Sequence, residues 1–309
     1  MADTTAPGTD IPARAWAELL LLSLIWGAVF FSVAIALREI GPMTSVLHRV
    51  GWAALLLWII VAARKLPVPR EARVWGAFLV MGALNNVIPF ALMSWGQIQI
   101  GTGLTAIFNG MTAPFAVLVA AVFLRDEPLS ARRLTGVLLG FVGVVVIKGP
   151  ANLFALDPQA LGTYAVLIGA LSYAFAGAWA KRTLPDQPPM VAAAGMLTGS
   201  TLLMIPLAVL TDGMPTRALA PATWTAIAYY SVIGTAGAYL LYYRVLAMAG
   251  SGNLLLCTLI IPPTAILLGV AFLGESMTAQ TLGGFALIAA GLAVIDGRVL
   301  RLLRRTSPG

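Results

Sequence analysis

Long apolar runs separated by short polar breaks follow one another along the chain from residue 16 to residue 300. Each run approaches or exceeds the roughly 20 apolar residues that a helix needs to cross a bilayer. The pattern predicts ten membrane-spanning helices, at residues 16–37, 43–63, 72–95, 102–124, 131–148, 160–181, 189–211, 222–247, 252–273 and 279–300. We therefore expect an all-α polytopic membrane protein.

The composition agrees with lipid as the main solvent, because 60% of the residues are hydrophobic and only 10% are charged. Soluble domains contain about 25% charged residues. The connectors between the runs are short and rich in glycine and proline, so none of them can hold a separate soluble domain. We expect one integrated membrane domain between a disordered tail at residues 1–15 and a basic tail at residues 301–309.

Lysine and arginine are concentrated at alternate ends of the predicted helices. Cytoplasmic loops of membrane proteins are enriched in these residues, which predicts that both termini are cytoplasmic. The basic residues of the predicted inner ends are Arg14, Arg64, Lys65, Arg70, Arg73, Arg125, Arg132, Arg133, Lys181, Arg182, Arg244, Arg298, Arg301, Arg304 and Arg305. The net charge of +7 is thereby explained by orientation in the bilayer, and we expect no nucleic-acid partner.

The two halves of the chain repeat each other. A shift of 148 residues brings Pro114 onto Pro262 and Glu127 onto Glu275, and it also aligns Ser130 with Thr278, Gly136 with Gly284 and Gly143 with Gly291. Further upstream, a shift of 147 residues aligns Trp26 with Tyr173 and Pro42 with Pro189. The halves, residues 16–150 and 151–300, hold five helices each, and an odd number makes them two inverted repeats. Such proteins bind substrate near the bilayer midplane, often beside interrupted helices, so Pro89, Pro114 and Pro262 are candidate hinge or gating residues.

Several motifs carry a family resemblance. SLIWGAVF at residues 23–30, FLRDEPLS at 123–130 and GVLLGFVGVVVIKG at 136–149, with their counterparts in the second half, resemble the EamA type of the drug/metabolite transporter superfamily. Within that superfamily the chain is similar to the YddG-like amino-acid exporters of bacterial inner membranes. The resemblance covers nearly all of residues 16–300. It implies ten helices, an inner-membrane location, cytoplasmic termini and alternating access around a central cavity.

No motif of an enzyme is present in the sequence. One histidine and one cysteine cannot form an ordinary zinc site, so we expect no catalytic residues, no metal and no cofactor. Among the carboxylates, Glu18 could handle protons or cationic drugs, as the resemblance to small multidrug transporters implies, although it lies close to the interface. Asp126, Glu127 and Glu275 fall at helix ends, where a polar interfacial role is expected.

The candidate substrate-binding residues are polar or aromatic residues inside the predicted helices. They are Trp26, His48, Asn85, Asn86, Thr105, Asn109, Thr112, Tyr173 and Tyr239. His48 could bond to substrate or take up a proton near neutral pH, whereas its neighbour Arg49 is expected to extend to the lipid headgroups. The asparagines could instead bond to other helices.

These residues predict an apolar, aromatic cavity with almost no fixed charge. Phosphorylated solutes would need Arg or Lys near the midplane, and neutral or zwitterionic metabolites fit better, above all apolar or aromatic amino acids. The expected partners are thus a small-molecule substrate and the lipid bilayer, and we expect a monomer. Two alternatives remain, a proton-coupled exporter of drugs or cations and, less favoured, a scaffold or receptor that does not transport.

Overall fold

The computed structural model describes residues 12–124, 129–250, 254 and 256–297. Within these ranges the chain forms ten helices that correspond to the ten predicted spans. They are α1 (Ala13–Ala36), α2 (Pro42–Ala63), α3 (Ala72–Ile100), α4 (Thr102–Phe123), α5 (Ala131–Lys148), α6 (Pro158–Thr183), α7 (Pro189–Asp212), α8 (Pro221–Ala249), α9 (Cys257–Leu273) and α10 (Ala279–Asp296). Asp126, Glu127, most of the N-terminal tail and the whole basic tail lie outside the described residues.

Eight of these helices are long and apolar enough to cross a bilayer. The other two are α5, which carries two arginines in its first turn and a lysine at its end, and α9, which has 17 residues. A helix rises 1.5 Å per residue, so even α9 extends over about 25 Å. The prediction of an all-helical membrane protein is confirmed.

The packing of α5 against α10 shows that the second half is inverted. A Cβ atom added to Gly136 would lie 2.5 Å from the carbonyl oxygen of Gly291, and one added to Gly143 would lie 2.6 Å from that of Gly284. The later residue of α5 contacts the earlier residue of α10, so the two helices are antiparallel. Since α5 and α10 are equivalent in the repeat, antiparallel packing means opposite orientation in the membrane.

The remaining contacts between the halves follow the same two-fold relation. Helix α3 packs on α6 and its equivalent α8 packs on α1, while α4 packs on α6 and its equivalent α9 packs on α1. Helix α2 packs against its own equivalent α7, with Trp58 donating to the Thr198 hydroxyl at 2.7 Å. The structure therefore confirms two inverted five-helix repeats that interlock along their length.

Helical irregularities occur in both halves, but they do not all lie where the prolines predict. In α3, residues Ala83–Val87 form a π-helix, and in α8 residues Tyr229–Gly237 do so at the equivalent place. Helix α4 is interrupted between Asn109 and Thr112, whereas α9 continues through Pro262. Of the two prolines that the repeat aligns, Pro114 follows an interruption and Pro262 lies within a continuous helix. The matched irregularities are the π-helical segments.

Pro114 occupies the third position of the helical piece Thr112–Phe123. The first four N–H groups of a helix have no partner within it, so a proline there removes no helical hydrogen bond. The interruption before Thr112 consequently explains how α4 accommodates Pro114. Pro89 lies two residues after the end of the π-helical segment of α3 and packs against Gly169 of α6. Hinge or gating roles for the three prolines stay predictions.

Candidate functional site

A cavity of about 690 Å³ lies between the two repeats. Its lining includes Leu184, Pro185 and Gln187 from the connector between α6 and α7, which marks its mouth. Successive helices run in opposite directions, so this connector lies at the same end of the protein as Ala13 and Asp296. The cavity therefore opens toward the end at which the first described helix begins and the last one ends.

Six of the nine candidate binding residues line this cavity. They are Trp26, Asn85, Asn109, Thr112, Tyr173 and Tyr239. Trp26 and Tyr173, which the internal repeat aligns with each other, lie on α1 and α6 and contribute rings from both halves. The structure thus brings together residues that are up to 213 positions apart in sequence, from Trp26 to Tyr239.

His48, Asn86 and Thr105 lie outside the cavity lining. The His48 ring packs edge-on against Trp224 with 5.7 Å between ring centres, and the buried Asn86 donates to the Ser200 hydroxyl at 2.8 Å. Thr105 is buried and donates to the carbonyl of Gly101 at 2.6 Å. In this conformation the three side chains contact neighbouring helices or their own backbone instead of a shared binding space.

Arg49 lines the cavity, and the expectation that it reaches the headgroups is wrong. It lies seven residues into α2, about 10 Å from the start of the helix, on the side that faces α3 and α8. Its Nε donates to the Thr235 hydroxyl at 3.0 Å, and its guanidinium carbon lies 3.7 Å from the centre of the Phe90 ring. The cavity therefore holds the fixed positive charge that the sequence pattern did not predict.

Both π-helical segments supply polar groups to this site. Thr235 belongs to the segment of α8 and donates to the Tyr230 carbonyl at 2.8 Å, which leaves its oxygen lone pairs for Arg49. Asn85 belongs to the segment of α3 and donates to the Tyr239 hydroxyl at 3.2 Å. π-helical segments are frequent at functional sites, and here they direct one side chain from each half into the cavity.

The interruption of α4 places Asn109 at the cavity wall. Its side-chain oxygen is buried and has no hydrogen-bond partner among the described residues. Thr112 donates to the Asn109 backbone carbonyl at 2.8 Å and so stabilises the interrupted backbone. An unpartnered buried amide oxygen costs about 1–3 kcal/mol, so a rotation of the Asn109 side chain that brings this oxygen to a donor in the cavity would be favourable.

Aromatic rings form much of the remaining wall. The Trp26 and Tyr242 rings are 6.0 Å apart, the Phe90 and Tyr173 rings 6.4 Å apart, and Tyr239 stacks on Tyr243 at 6.3 Å. Such rings provide large apolar contact area with polar groups at their edges. The wall therefore suits a solute that has an aromatic or aliphatic portion.

At the end of the protein opposite the mouth, three carboxylates cap helices of the other half. Glu275 accepts from the backbone N–H groups of Thr102 and Gly103 at 2.5 Å and 3.0 Å, Asp212 accepts from that of Thr44 at 2.7 Å, and Glu39 accepts from that of Ala220 at 3.0 Å. Negative groups are stabilised at helix N-termini. Glu275 is thus an interfacial cap, as its position in the sequence predicts.

Glu18 is held in ion pairs at the other end. It accepts from Arg14 of its own helix at 3.1 Å and from Arg244 of α8. It does not line the cavity. Through its Oε1 atom, the carboxylate that a proton- or cation-handling site would require links α1 to α8, while Oε2 is buried without a hydrogen-bond partner among the described residues.

Two interlocked inverted five-helix repeats around a central cavity form an architecture that is common among membrane transporters. Within that class, the EamA-like transporter family matches residues 15–149 and again residues 160–296, and the chain belongs to this family. The two matches coincide with the two halves of the fold, and the protein is accordingly a multi-span membrane transporter of small molecules.

Individual relatives agree with this assignment. The chain is 26% identical over 298 residues to a probable terminal-alkyne amino-acid exporter of Streptantibioticus cattleyicolor, covering 95% of this chain and 97% of that protein. It is 24% identical over 274 residues to the uncharacterized inner membrane transporter YedA of Escherichia coli K12, covering 84% and 83%. A solved crystal structure shares the fold with a TM-score of 0.67 at 18% identity, covering 96% of this chain and 99% of that one.

Proposed function

We propose that the protein exports small zwitterionic metabolites, above all amino acids with apolar or aromatic side chains, by alternating access through the cavity between its repeats. The observation that carries the proposal is a cavity of about 690 Å³ with aromatic walls and one guanidinium, that of Arg49. Sites for small molecules range from about 300 to 1,000 Å³. The similarity to a probable amino-acid exporter supports the same substrate class.

The charge distribution supports an orientation of the protein in the bilayer. Basic residues at the mouth end, among them Lys181 and Arg182, favour a cytoplasmic location for that end in a bacterial-type inner membrane. The structure then corresponds to an inward-open state that admits solute from the cytoplasm. Release outside requires the three carboxylate caps at the far end to separate. We infer facilitated export down a concentration gradient.

The charge of the cavity disfavours an exporter of cations. Among the described residues that line it, Arg49 is the one charged residue, and Glu18 lies elsewhere. A permanent cation in a cavity of this kind would be repelled instead of stabilised. The aromatic lining and the mouth likewise favour a transporter over a scaffold.

Counterflow of radiolabelled amino acids into liposomes that contain the purified protein tests the proposal. Phenylalanine and leucine should enter, and imposed pH gradients should leave the rate unchanged if transport is facilitated. Transport of cationic drugs in their place, or of nothing in the panel, would contradict it.

Two glycine variants, one a test and the other its matched control, show whether solute passes through this cavity. A Cβ atom on either Gly177 or Gly283 meets nothing within 4 Å, but only Gly177 lines the cavity. Gly177→Trp should obstruct the cavity and abolish counterflow, whereas Gly283→Trp should leave it intact. Equal activity of the two variants would contradict a path through this cavity.

A further inference from the structure

Arg49 carries a positive charge that no carboxylate among the described residues neutralises. Its hydrogen bond to Thr235 and its position over the Phe90 ring offset only part of the cost of holding a guanidinium away from bulk water. Charged residues inside membrane domains are costly and commonly functional. The missing counter-charge indicates that a solute supplies it.

We propose that Arg49 binds the carboxylate of the transported solute, which makes it the residue that selects carboxylate-bearing molecules. This inference rests on the proposed function. A guanidinium has five N–H donors, and a carboxylate can accept two of them in parallel. Only the Nε donor is engaged within the described protein, so the terminal nitrogens remain for the solute.

The surroundings of Arg49 hold it in a fixed position. Thr235 accepts from it while donating to the Tyr230 carbonyl, and the Tyr230 hydroxyl accepts from Ser45 at 3.2 Å. Phe90 lies beneath the guanidinium. Groups on α2, α3 and α8 thus orient the donors before solute arrives, which reduces the entropy lost on binding.

Asn109 offers a complementary group. The residue lines the same cavity, and its unpartnered side-chain oxygen, which is buried in this conformation, can accept a hydrogen bond from an ammonium group once the side chain rotates toward the solute. One cation, one unpaired acceptor and aromatic walls together match an α-amino acid. A phosphate dianion would need more than a single arginine, so a monocarboxylate is the class of anion that fits best.

Competition against labelled phenylalanine in the liposome assay tests the assignment. The competitors are phenylalaninamide and phenethylamine, which lack the carboxylate, 3-phenylpropionate, which keeps it, and phenyl phosphate. We expect strong competition by 3-phenylpropionate and weak competition by the amide, the amine and the phosphate. Arg49→Gln should weaken phenylalanine binding by about ten- to a hundredfold and remove the preference for acid over amide, and Arg49→Lys should restore part of both.

Arg38→Gln is the matched control, because it removes the same charge from an exposed position. It should leave the ratio of acid to amide affinity unchanged. If Arg49→Gln does not yield a monodisperse protein, the ratio of acid to amide affinity is measured in Arg49→Lys instead. An arginine with a purely structural role would leave that ratio unaltered.

The outcomes separate the two proposals. Transport of phenylalanine with an unchanged preference for acid over amide in the Arg49 variants would overturn the role of Arg49 and leave export intact. If the wild type transports no amino acid, the proposed function fails, and titration of the purified protein with 3-phenylpropionate by tryptophan fluorescence still tests Arg49. Saturable binding that Arg49→Gln weakens supports the assignment, and no binding to the wild type refutes it.

Discussion

Replacement of Gly143 by alanine tests the close packing of α5 on α10. The added Cβ atom would lie 2.6 Å from the Gly284 carbonyl oxygen and 2.7 Å from Cγ1 of Ile288. Carbon–oxygen contacts between helices normally measure about 3.3–3.6 Å. The helices must therefore separate by about 0.7–1 Å or distort locally.

The expected cost follows from this overlap. Inserting a methyl group into a well-packed interior destabilises proteins by about 1–3 kcal/mol, while replacing glycine by alanine within a helix contributes about 1 kcal/mol in the opposite direction. Gly283→Ala isolates the second effect, because its Cβ atom meets nothing within 4 Å. Gly143→Ala should accordingly be about 1–3 kcal/mol less stable than Gly283→Ala.

The free energy of unfolding in mixed micelles, titrated with dodecyl sulfate and followed by tryptophan fluorescence, gives this difference. The two-fold relation adds a second expectation, since Gly136→Ala brings a Cβ atom to 2.5 Å from the Gly291 carbonyl and should cost a similar amount. Equal stability of the Gly143 and Gly283 variants would refute the packing argument.

Three further predictions concern the site and the two ends of the protein. Thr235→Val removes the acceptor of Arg49 Nε and should lower the affinity for amino acids about five- to tenfold in the counterflow assay. Glu275→Ala removes the cap of α4 and should lower the free energy of unfolding by about 0.5–2 kcal/mol, measured by the same titration. In a Cys257→Ala background, a cysteine replacing Gln187 should react with an impermeant maleimide in inside-out vesicles and not in intact cells, because we place the mouth in the cytoplasm.

The number of helices and the repeat could be predicted because lipid imposes strong constraints on sequence. A spanning helix must be apolar over its whole length, and its backbone must satisfy its own hydrogen bonds. The repeat could be detected from residues whose spacing the fold preserves, such as the glycines at 136 and 143 with their counterparts 148 positions later. In the structure these glycines form the contact between α5 and α10.

The sequence could not show which of two adjacent residues lines the cavity. Adjacent side chains on a helix point about 100° apart, so Arg49 reaches the cavity while His48 packs against Trp224. In the same way Asn85 lines the cavity and Asn86 bonds to α7. Which face of a helix meets the cavity depends on the packing of all ten helices, and no local pattern encodes it.

The π-helical segments were not predicted from the sequence for a different reason. Neither Ala83–Val87 nor Tyr229–Gly237 contains a proline, the residue type that indicates helix interruptions in a sequence. The adjacent asparagines at 85 and 86 and the glycines at 234 and 237 were the available signals. Polar and small residues at corresponding depths of equivalent helices are thus a better indication of this site than proline alone.

The contact between α5 and α10 is isologous, because each pair of contacting residues has a symmetric counterpart. Gly136 of α5 contacts Gly291 of α10, and Gly143 of α5 contacts Gly284 of α10. In the repeat, Gly284 is the equivalent of Gly136 and Gly291 is the equivalent of Gly143. The same surface patch therefore recognises its own copy, as in a symmetric homodimer. The connector from Gly149 to Asp157 then acts as a tether between two self-complementary subunits. If this connector is cut, the two halves should insert as separate polypeptides and still associate in the bilayer. The helix surfaces, and not the covalent connection, would then determine assembly.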